Sequence, residues 1–327
     1  MWLSSIPQIF MWLWFSARSR AVMWMSPANP SIITGGFTGE PKNEIYDLMP
    51  LEILPITLYI KDPNEKFESV LNKTMAVGIT FPLICKPNRG ERGKKVAKIN
   101  NEATFRQYIG LMKVDYLIQE YIDLPNEAAV MAYYMPDSKE QGIISITDKE
   151  FLNVVGDGKA SLLTLMERNM RALLVLKNLK EIFRERLEEI LPEGEVFILE
   201  PIGNHSRGTG FYDGSRFITT EMIQNYADIT RNIKGVFFAR YDLKYDTVEN
   251  LRAGRVKILE LNGVGADPGH IYDPKIRVFE KYSIIYRQYK VIYKIAAANR
   301  KKGVAVMKLS ECLKYWKMLK AYNKLME

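Results

Sequence analysis

The sequence predicts a mixed α+β protein with helical additions at both ends. From residue 81 onward, short apolar runs that alternate in period two, as strands do, are interleaved with stretches of helical periodicity. A length of 327 residues with 47% hydrophobic residues is enough for more than one core, so we expect two to three subdomains. The same composition excludes a disordered or collagen-like chain.

Positive charge is concentrated at the C-terminal end of the chain. The net charge is +8, and residues 277–327 hold 13 Lys/Arg against 3 Asp/Glu, so the rest of the chain is close to neutral. This distribution argues against a basic nucleic-acid-binding body. The two cysteines, Cys85 and Cys312, provide neither a disulfide framework nor a zinc cluster, which favours a reducing cytosol.

The first 26 residues are rich in aromatic side chains. Their longest apolar run, 9–15, is seven residues long, whereas a membrane-spanning helix needs about 20. Arg18 and Arg20 follow this run instead of preceding it, so no signal peptide is predicted. We expect a helical segment that ends at a boundary near residue 30. Four of the five tryptophans lie in this segment: Trp2, Trp12, Trp14 and Trp24.

Proline and glycine mark the ends of the predicted elements. Pro41 opens a helix over 40–49, where its missing N–H costs nothing, and Pro192 ends a long helical stretch over 161–191. Further helices are expected at 103–111, 221–233 and through most of 277–327, and strands at 55–60, 81–86, 116–122, 126–135, 142–147, 196–199, 235–245 and 255–262. The predicted domains are an N-terminal segment 1–75, a smaller subdomain 76–150, a larger one 151–276 and the basic tail 277–327.

Two late strands carry the strongest chemical pattern. Period two places Arg240, Asp242 and Lys244 on one face of the first strand, and Glu260 and Asn262 on one face of the second. If the strands pair, two carboxylates and an amide oxygen converge, and such hard ligands suit Mg²⁺ with substrate phosphates. For either strand alone, an ordinary half-exposed sheet face is the simpler interpretation.

A basic glycine loop follows an earlier strand. Lys86 ends that strand, and the loop 88–95 contains two glycines among arginines and lysines, which suits the wrapping of an anion. It does not match a Walker loop, and neither does the stretch 156–160. An RNA-binding KH loop joins two helices, whereas this loop follows a strand.

These segments together resemble the ATP-grasp superfamily in order and spacing. The matching stretches are Lys42 with 55–57, 81–87 with its glycine loop, 118–122 with Glu127, 240–242 and 260–262. The late strands resemble D-alanine–D-alanine ligases, whereas 154–159 and 203–208 are more similar to cyanophycin-synthetase-type ligases. The resemblance covers about 35–276 and implies two α+β subdomains that grip ATP.

The resemblance also implies roles for individual residues. Lys42 and Lys86 would hold ATP phosphates, and Arg240 would stabilise charge on the transferring phosphoryl group. The adenine would lie at the hinge 119–122, although Gln119 replaces the acidic residue common there. The remaining implied contacts are Arg89, Gly90 and Gly93 in the loop over the phosphates, Gln119, Glu120, Tyr121 and Ile122 at the hinge, Glu127 on the ribose, and Asp242, Glu260 and Asn262 on one or two Mg²⁺ ions, with Mn²⁺ as a substitute.

Three further residues are candidates for substrate binding. His205 and Arg207 lie in a polar loop and would bind the acceptor carboxylate, although a solvated loop histidine is an equal alternative. His270 follows the predicted strand 255–262, which contains Glu260 and Asn262. In the ligases that the sequence resembles, residues that contact substrate lie just after this strand. Cys85 alternates with Lys86 and is expected in the core.

The resulting functional prediction is a cytoplasmic, Mg-dependent carboxylate–amine ligase that forms an amide through an acyl phosphate. The rival enzyme is an ATP-grasp phosphotransferase, and the rival from another class is a non-catalytic nucleotide-binding protein at a membrane surface. Nucleic acid is not an expected partner. Two interpretations of the chain ends stay open: peripheral docking on an anionic membrane, or a helical cap with a solvated lysine face.

Overall fold

The computed structural model describes residues 6–90 and 93–327, so Trp2 and two predicted loop residues, Glu91 and Arg92, lie outside the described part. The helices are α1 (Ile6–Ser19), α2 (Lys42–Tyr46), α3 (Phe67–Ala76), α4 (Glu102–Leu111), α5 (Leu162–Arg168), α6 (Met170–Leu173), α7 (Leu176–Ile182), α8 (Thr220–Arg231), α9 (Val248–Arg252), α10 (Val278–Lys301) and α11 (Leu309–Leu325). The strands are β1 (Thr57–Ile60), β2 (Leu83–Pro87), β3 (Ala97–Ile99), β4 (Tyr116–Glu120), β5 (Asn126–Tyr134), β6 (Gln141–Glu150), β7 (Leu152–Val155), β8 (Val196–Glu200), β9 (Gly210–Asp213), β10 (Phe238–Tyr245) and β11 (Lys257–Asn262). The predicted α+β class is confirmed.

The first sheet has the strand order β1-β4-β2-β3, with antiparallel neighbours. Its core includes side chains of α3 and α4, among them Val70 and Phe105, and Cys85 is fully buried there, as predicted. The next residue, Lys86, is buried as well. Because successive side chains of a strand point to opposite faces, Lys86 leaves β2 on the side away from this core.

The second sheet has the strand order β11-β10-β5-β6-β9 and is also antiparallel. One face packs into an apolar core with α8 and contains Tyr241 and Leu243. Arg240 and Asp242, which alternate with these residues, therefore lie on the other face. Pairing of β10 with β11 places Asp242 opposite Glu260, so the predicted meeting of these two carboxylate-bearing strands is confirmed.

A β-bulge interrupts the pairing of β10 and β11. Asp242 pairs with Glu260 but Leu243 pairs with Ile258, so Leu259 is the extra residue. Its carbonyl oxygen accepts a hydrogen bond from the Tyr46 hydroxyl at 2.5 Å. The extra residue of a bulge does not take part in the hydrogen bonds between the two strands, and here its carbonyl group faces the first sheet.

The predicted single helix over 161–191 is wrong. Three short helices, α5 to α7, occupy this region, and a two-stranded sheet of β7 and β8 packs with them around a small separate core. Asn169 causes the first break, because its backbone is extended and its side chain accepts from the amides of Arg171 and Ala172, which starts a new helix. The polar segment predicted as a loop around His205 and Arg207 likewise contains a 3-10 turn and is followed by strand β9.

The N-terminal helix α1 packs against α10. Phe15 and Trp24 lie in a shared aromatic core with Tyr289 and Tyr293, and Trp24 is only 1% exposed. The helical-cap interpretation therefore holds for Trp24, whereas Trp14 is 58% exposed. Among the described residues, no helix combines the length and apolarity that membrane crossing demands.

Candidate active site

Lys86 extends from the first sheet to the second. Its ammonium donates to the Tyr46 hydroxyl oxygen at 2.7 Å, to Gln119 Oε1 at 2.9 Å and to the Leu259 carbonyl oxygen at 3.1 Å. Its three N–H donors thus match three neutral acceptors. The bulge at Leu259 is what brings the edge of the second sheet within reach of this lysine.

The surroundings of Lys86 disfavour its charged form. Burial lowers its pKa to about 7, with the positive charge of Lys42 acting in the same direction and Glu260 opposing both. No carboxylate lies within ion-pairing distance of its ammonium among the described residues. An anionic phosphate would supply the missing charge partner, which is the arrangement expected of a phosphate-binding lysine.

Lys42 begins α2 and pairs directly with a predicted metal ligand. Its ammonium lies 2.9 Å from Glu260 Oε1 and donates to the Gly90 carbonyl oxygen at 3.0 Å. Burial alone would lower the pKa of Lys42, but the charge and hydrogen bond of Glu260 outweigh it and the pKa is raised. The reciprocal effect lowers the pKa of Glu260 despite its burial.

Asp242 is the most heavily contacted carboxylate of the site. Its Oδ2 accepts from Arg240 Nη2 at 2.9 Å and from Asn262 Nδ2 at 2.9 Å, and its Oδ1 lies 2.7 Å from Lys149 Nζ. Burial alone would raise the pKa of Asp242, but the charges of Arg240 and Lys149 outweigh it and hold the pKa at about 2. Asp242 is therefore ionised at any physiological pH.

Lys149, on β6, is a central residue that the sequence analysis missed. Its ammonium bridges Asp242 and Glu127, at 2.7 Å from each carboxylate, and it is buried. These two charges raise its pKa against the effect of burial. The available signal was local: Ser145, Thr147 and Lys149 alternate with apolar Ile146, which gives β6 a polar face.

The donor set fits magnesium in its chemistry. Two ionised carboxylates, Asp242 and Glu260, lie opposite each other on neighbouring strands, with the Asn262 amide beside them. Oxygen ligands of this kind are those that Mg²⁺ prefers. In residues 6–90 and 93–327 no group of three His, Cys, Asp or Glu side chains is arranged to hold a metal. The predicted set contains two such side chains and the Asn262 amide.

The predicted hinge is partly committed to internal contacts. Gln119 is 2% exposed and holds Lys86 through Oε1 and Thr57 through Nε2, while the Glu120 carboxylate accepts from the Ile56 amide at 2.8 Å. The Lys98 ammonium lies over the ring of Tyr121, 3.7 Å from the ring centroid. Ile122 follows the end of β4 and is half-buried. The Gln119 side chain therefore orients Lys86, a role not predicted for it.

The polar loop 203–209 closes over Glu127. A Cβ at Gly203 would lie 2.1 Å from Glu127 Oε1, so a larger residue there would displace the carboxylate that pairs with Lys149. Arg207 donates through Nη2 to the carbonyl oxygens of Gly93 at 2.8 Å and Val96 at 2.9 Å. This contact joins the polar loop to the glycine loop, and the structure thus places Arg207 at the loop junction.

Helix α11 holds the other end of the glycine loop. Arg89 donates through Nη1 to the Tyr315 hydroxyl at 2.6 Å and to the Gly39 carbonyl oxygen at 2.9 Å, and its amide donates to the Tyr322 hydroxyl at 3.3 Å. The Met326 side chain lies next to Gly90. The C-terminal helix is therefore part of the wall around the predicted phosphate loop.

Neither histidine contacts a carboxylate of the cluster among the described residues. His205 stacks on Tyr272, with ring centroids 5.2 Å apart. His270 is 4% exposed, and its Nδ1 has no hydrogen-bond partner within the described part of the chain; burial lowers its pKa. The preceding Gly269 packs on Thr147, which shares the polar face of β6 with Lys149.

An open cleft of about 590 Å³ lies at the edge strand β9 and not at the lysine cluster. In this structure the lysines and carboxylates of the cluster contact one another. The cleft is lined by Asp148, Glu150, Tyr212, Asp213, Arg216, Asp273, Lys275, Ile276 and Glu280.

Comparison with solved structures finds ligases. Similar chains include the VanG D-Ala:D-Ser ligase from Enterococcus faecalis (16% identity, 77% of this chain, 61% of that chain, TM-score 0.44) and D-alanine–D-alanine ligase from Bacillus anthracis (13%, 78%, 68%, 0.41). A bifunctional glutathione synthetase from Pasteurella multocida also matches (14%, 76%, 36%, 0.40). This chain thus spans only 61% and 36% of the first and third of these proteins.

Neither a protein-family model nor a curated protein matches the sequence.

Proposed function

We propose that this chain is an ATP-grasp ligase that joins a carboxylate to an amine with Mg-ATP as the energy source. The observation that carries the proposal is the meeting of the two sheets at Lys86, where a lysine of low pKa lies beside a row of ionised carboxylates. A surface ion-pair network would not bury an ammonium among neutral acceptors.

The charge balance of the cluster favours a polyanion. Four cations face three carboxylates, so the site has a net positive charge whenever Lys86 is protonated. The cations are Lys42, Lys86, Lys149 and Arg240, and the carboxylates are Glu127, Asp242 and Glu260. When phosphate binds, Lys42 and Lys149 would contact phosphate oxygens instead of carboxylates. Asp242 and Glu260 would then be available for the metal, and Glu127 for the ribose.

Bound Mg²⁺ would neutralise phosphate charge and polarise the transferring phosphoryl group, held by Asp242, Glu260 and Asn262. Arg240 lies beside Asp242, which fixes its guanidinium through two N–H donors at 2.9 and 3.2 Å. A guanidinium held this way can stabilise negative charge that develops on phosphorus or on a tetrahedral carbon.

The proposed reaction has two steps. A substrate carboxylate oxygen bonds to the γ-phosphorus while the bond to ADP breaks, which gives an acyl phosphate. The amine nitrogen then bonds to the acyl carbon, phosphate leaves, and one proton of the amine goes to solvent. No nucleophilic side chain is required, because orientation and charge stabilisation account for the rate enhancement.

Isotope transfer tests this proposal. The protein is incubated with Mg-ATP, hydroxylamine as a general amine and a panel of amino and hydroxy acids whose carboxylates contain ¹⁸O. A ligase produces a hydroxamate, ADP and one ¹⁸O in the released phosphate.

A phosphotransferase would leave the label in the acid and form a stable phosphoester. Failure of the wild-type chain to bind Mg-ATP in calorimetry would overturn the assignment for every substrate. The Cys85→Ser variant should give the same products as the wild type, because Cys85 faces the side of β2 opposite to Lys86.

A further inference from the structure

The outer face of α11 combines lysines with exposed apolar side chains. Leu313, Lys317, Lys320 and Lys324 are spaced i, i+4, i+7 and i+11, so they form one stripe along the helix, and all four are exposed. Trp316, which is 63% exposed, and Leu309 flank the same stripe. We call this set, with Lys314, the basic face of α11.

The basic face has no acidic residue. The one acid within α11, Glu311, accepts from the Lys308 amide at 2.9 Å and so caps the start of the helix. None of the four lysines of α11 forms an ion pair within the described part of the chain. Their charges are therefore free to meet an external anionic surface.

The opposite face of α11 is fixed to the body of the protein. Leu319 packs on Gly39, Tyr322 contacts the Asp115 carbonyl oxygen at 3.1 Å, and Met326 is buried in the core of the first sheet. Because the helix is already folded and anchored, docking through its outer face requires no further ordering of the backbone.

We propose that the basic face of α11 docks on an anionic lipid bilayer. Lysines at headgroup level are attracted to anionic lipids, while a tryptophan and leucines on the same face bury apolar area at the interface. Nucleic acid fits less well, since it offers nothing to cover Leu309 and Leu313. Helix α1 also exposes apolar side chains, including Phe10 and Trp14. Within α1 the single cation is Arg18, whose guanidinium lies over the Trp14 ring, whereas α11 has four lysines, so the charge pattern favours α11.

Vesicle flotation tests the proposal. The full chain is mixed at low salt with vesicles of phosphatidylcholine containing phosphatidylserine, and with pure phosphatidylcholine vesicles. We expect binding only with phosphatidylserine, and loss of binding at high salt. Lys317→Ala/Lys320→Ala should weaken binding about 25-fold, since each lysine contributes about a fivefold factor. Trp316→Ser should weaken it at every salt concentration at which the wild type binds.

The matched control removes two exposed cations elsewhere. Lys177→Ala/Arg184→Ala changes the net charge equally, in the region of α7, and should bind like the wild type. Failure of the wild type to bind phosphatidylserine vesicles at low salt overturns the proposal, as does equal weakening by the control pair. Lysine-dependent binding to RNA without vesicle binding, or a Trp316-dependent dimer in sedimentation without vesicle binding, also overturns it. ATP turnover serves as the folding check, because the basic face contains none of the proposed nucleotide contacts.

Discussion

Lys86 and Cys85 are neighbours on β2 with different expected roles, Lys86 in ligand binding and Cys85 in the stability of the core. Lys86 turns to the junction of the sheets with three neutral acceptors, and Cys85 turns into a core where it is fully buried. Burial raises the pKa of the Cys85 thiol well above its usual value, so this cysteine is chemically inert. Adjacent residues can therefore be tested against each other.

Lys86→Met should weaken Mg-ATP binding by about 10-fold to 100-fold, because a hydrogen bond to a charged group contributes roughly 1.5–3 kcal/mol. Cys85→Ser should leave the affinity unchanged and lower the free energy of unfolding by about 1–3 kcal/mol, since it buries a hydroxyl in an apolar core. Calorimetry and denaturant unfolding measure the two quantities. An unchanged affinity in Lys86→Met would refute its phosphate role.

The affinity for Mg-ATP should fall as the pH rises through about 7. Burial lowers the pKa of Lys86 to about 7, so the free protein loses this positive charge above that pH. A bound phosphate favours the charged lysine, so above pH 7 the protein must take up a proton when it binds Mg-ATP. The affinity therefore falls with each further pH unit. Lys86→Arg stays charged, and its binding curve between pH 6 and 9 should be flatter. Parallel curves for the two chains would contradict this assignment.

At the scale of elements, local periodicity predicted which face of a strand each side chain occupies. The alternation in β10 and β11 predicted which side chains share a face, and their pairing then brought Asp242 and Glu260 together. The bulge at Leu259 depends on neighbours distant in sequence. For Lys149, local alternation could indicate a place on the polar face of β6, but its partners Glu127 and Asp242 come from other strands. The break at Asn169 was missed because apolar residues on both sides continued a helical pattern.

The inner face of α11 makes a testable contact with the glycine loop. Tyr315→Phe removes a hydroxyl that accepts from Arg89 and donates to the Gly39 carbonyl oxygen, both at 2.6 Å. We expect faster hydrogen exchange in residues 88–95 and a KM for ATP raised about 3-fold to 10-fold, with a loss of stability of about 1 kcal/mol. Tyr286→Phe, at an exposed position on α10, is the control. If loop exchange is the same in both variants, α11 does not position the loop.

At the scale of the molecule, the candidate site is where three separate cores meet. Lys86 comes from the first sheet, Asp242 and Glu260 from the second, and the loop with Gly203 follows β8 of the small third unit. Between them they bury cations and carboxylates whose charges nearly cancel. A ligand that binds all three units should stabilise the whole fold and not one part of it.

Mg-ATP should therefore raise the melting temperature of the wild-type chain, by about 5 °C at 100 times its Kd, because binding of that strength adds about 2.7 kcal/mol to the stability. Glu260→Gln combined with Asn262→Ala removes metal-binding groups on one strand without emptying a core, since both side chains are only partly buried. The double variant should still melt cooperatively, at a lower temperature than the wild type because Lys42 loses its ionic partner, and it should lose Mg²⁺-dependent ATP turnover and show little stabilisation by Mg-ATP. Differential scanning calorimetry with and without Mg²⁺ separates these effects, and wild-type turnover in the double variant would remove Glu260 and Asn262 from the metal site.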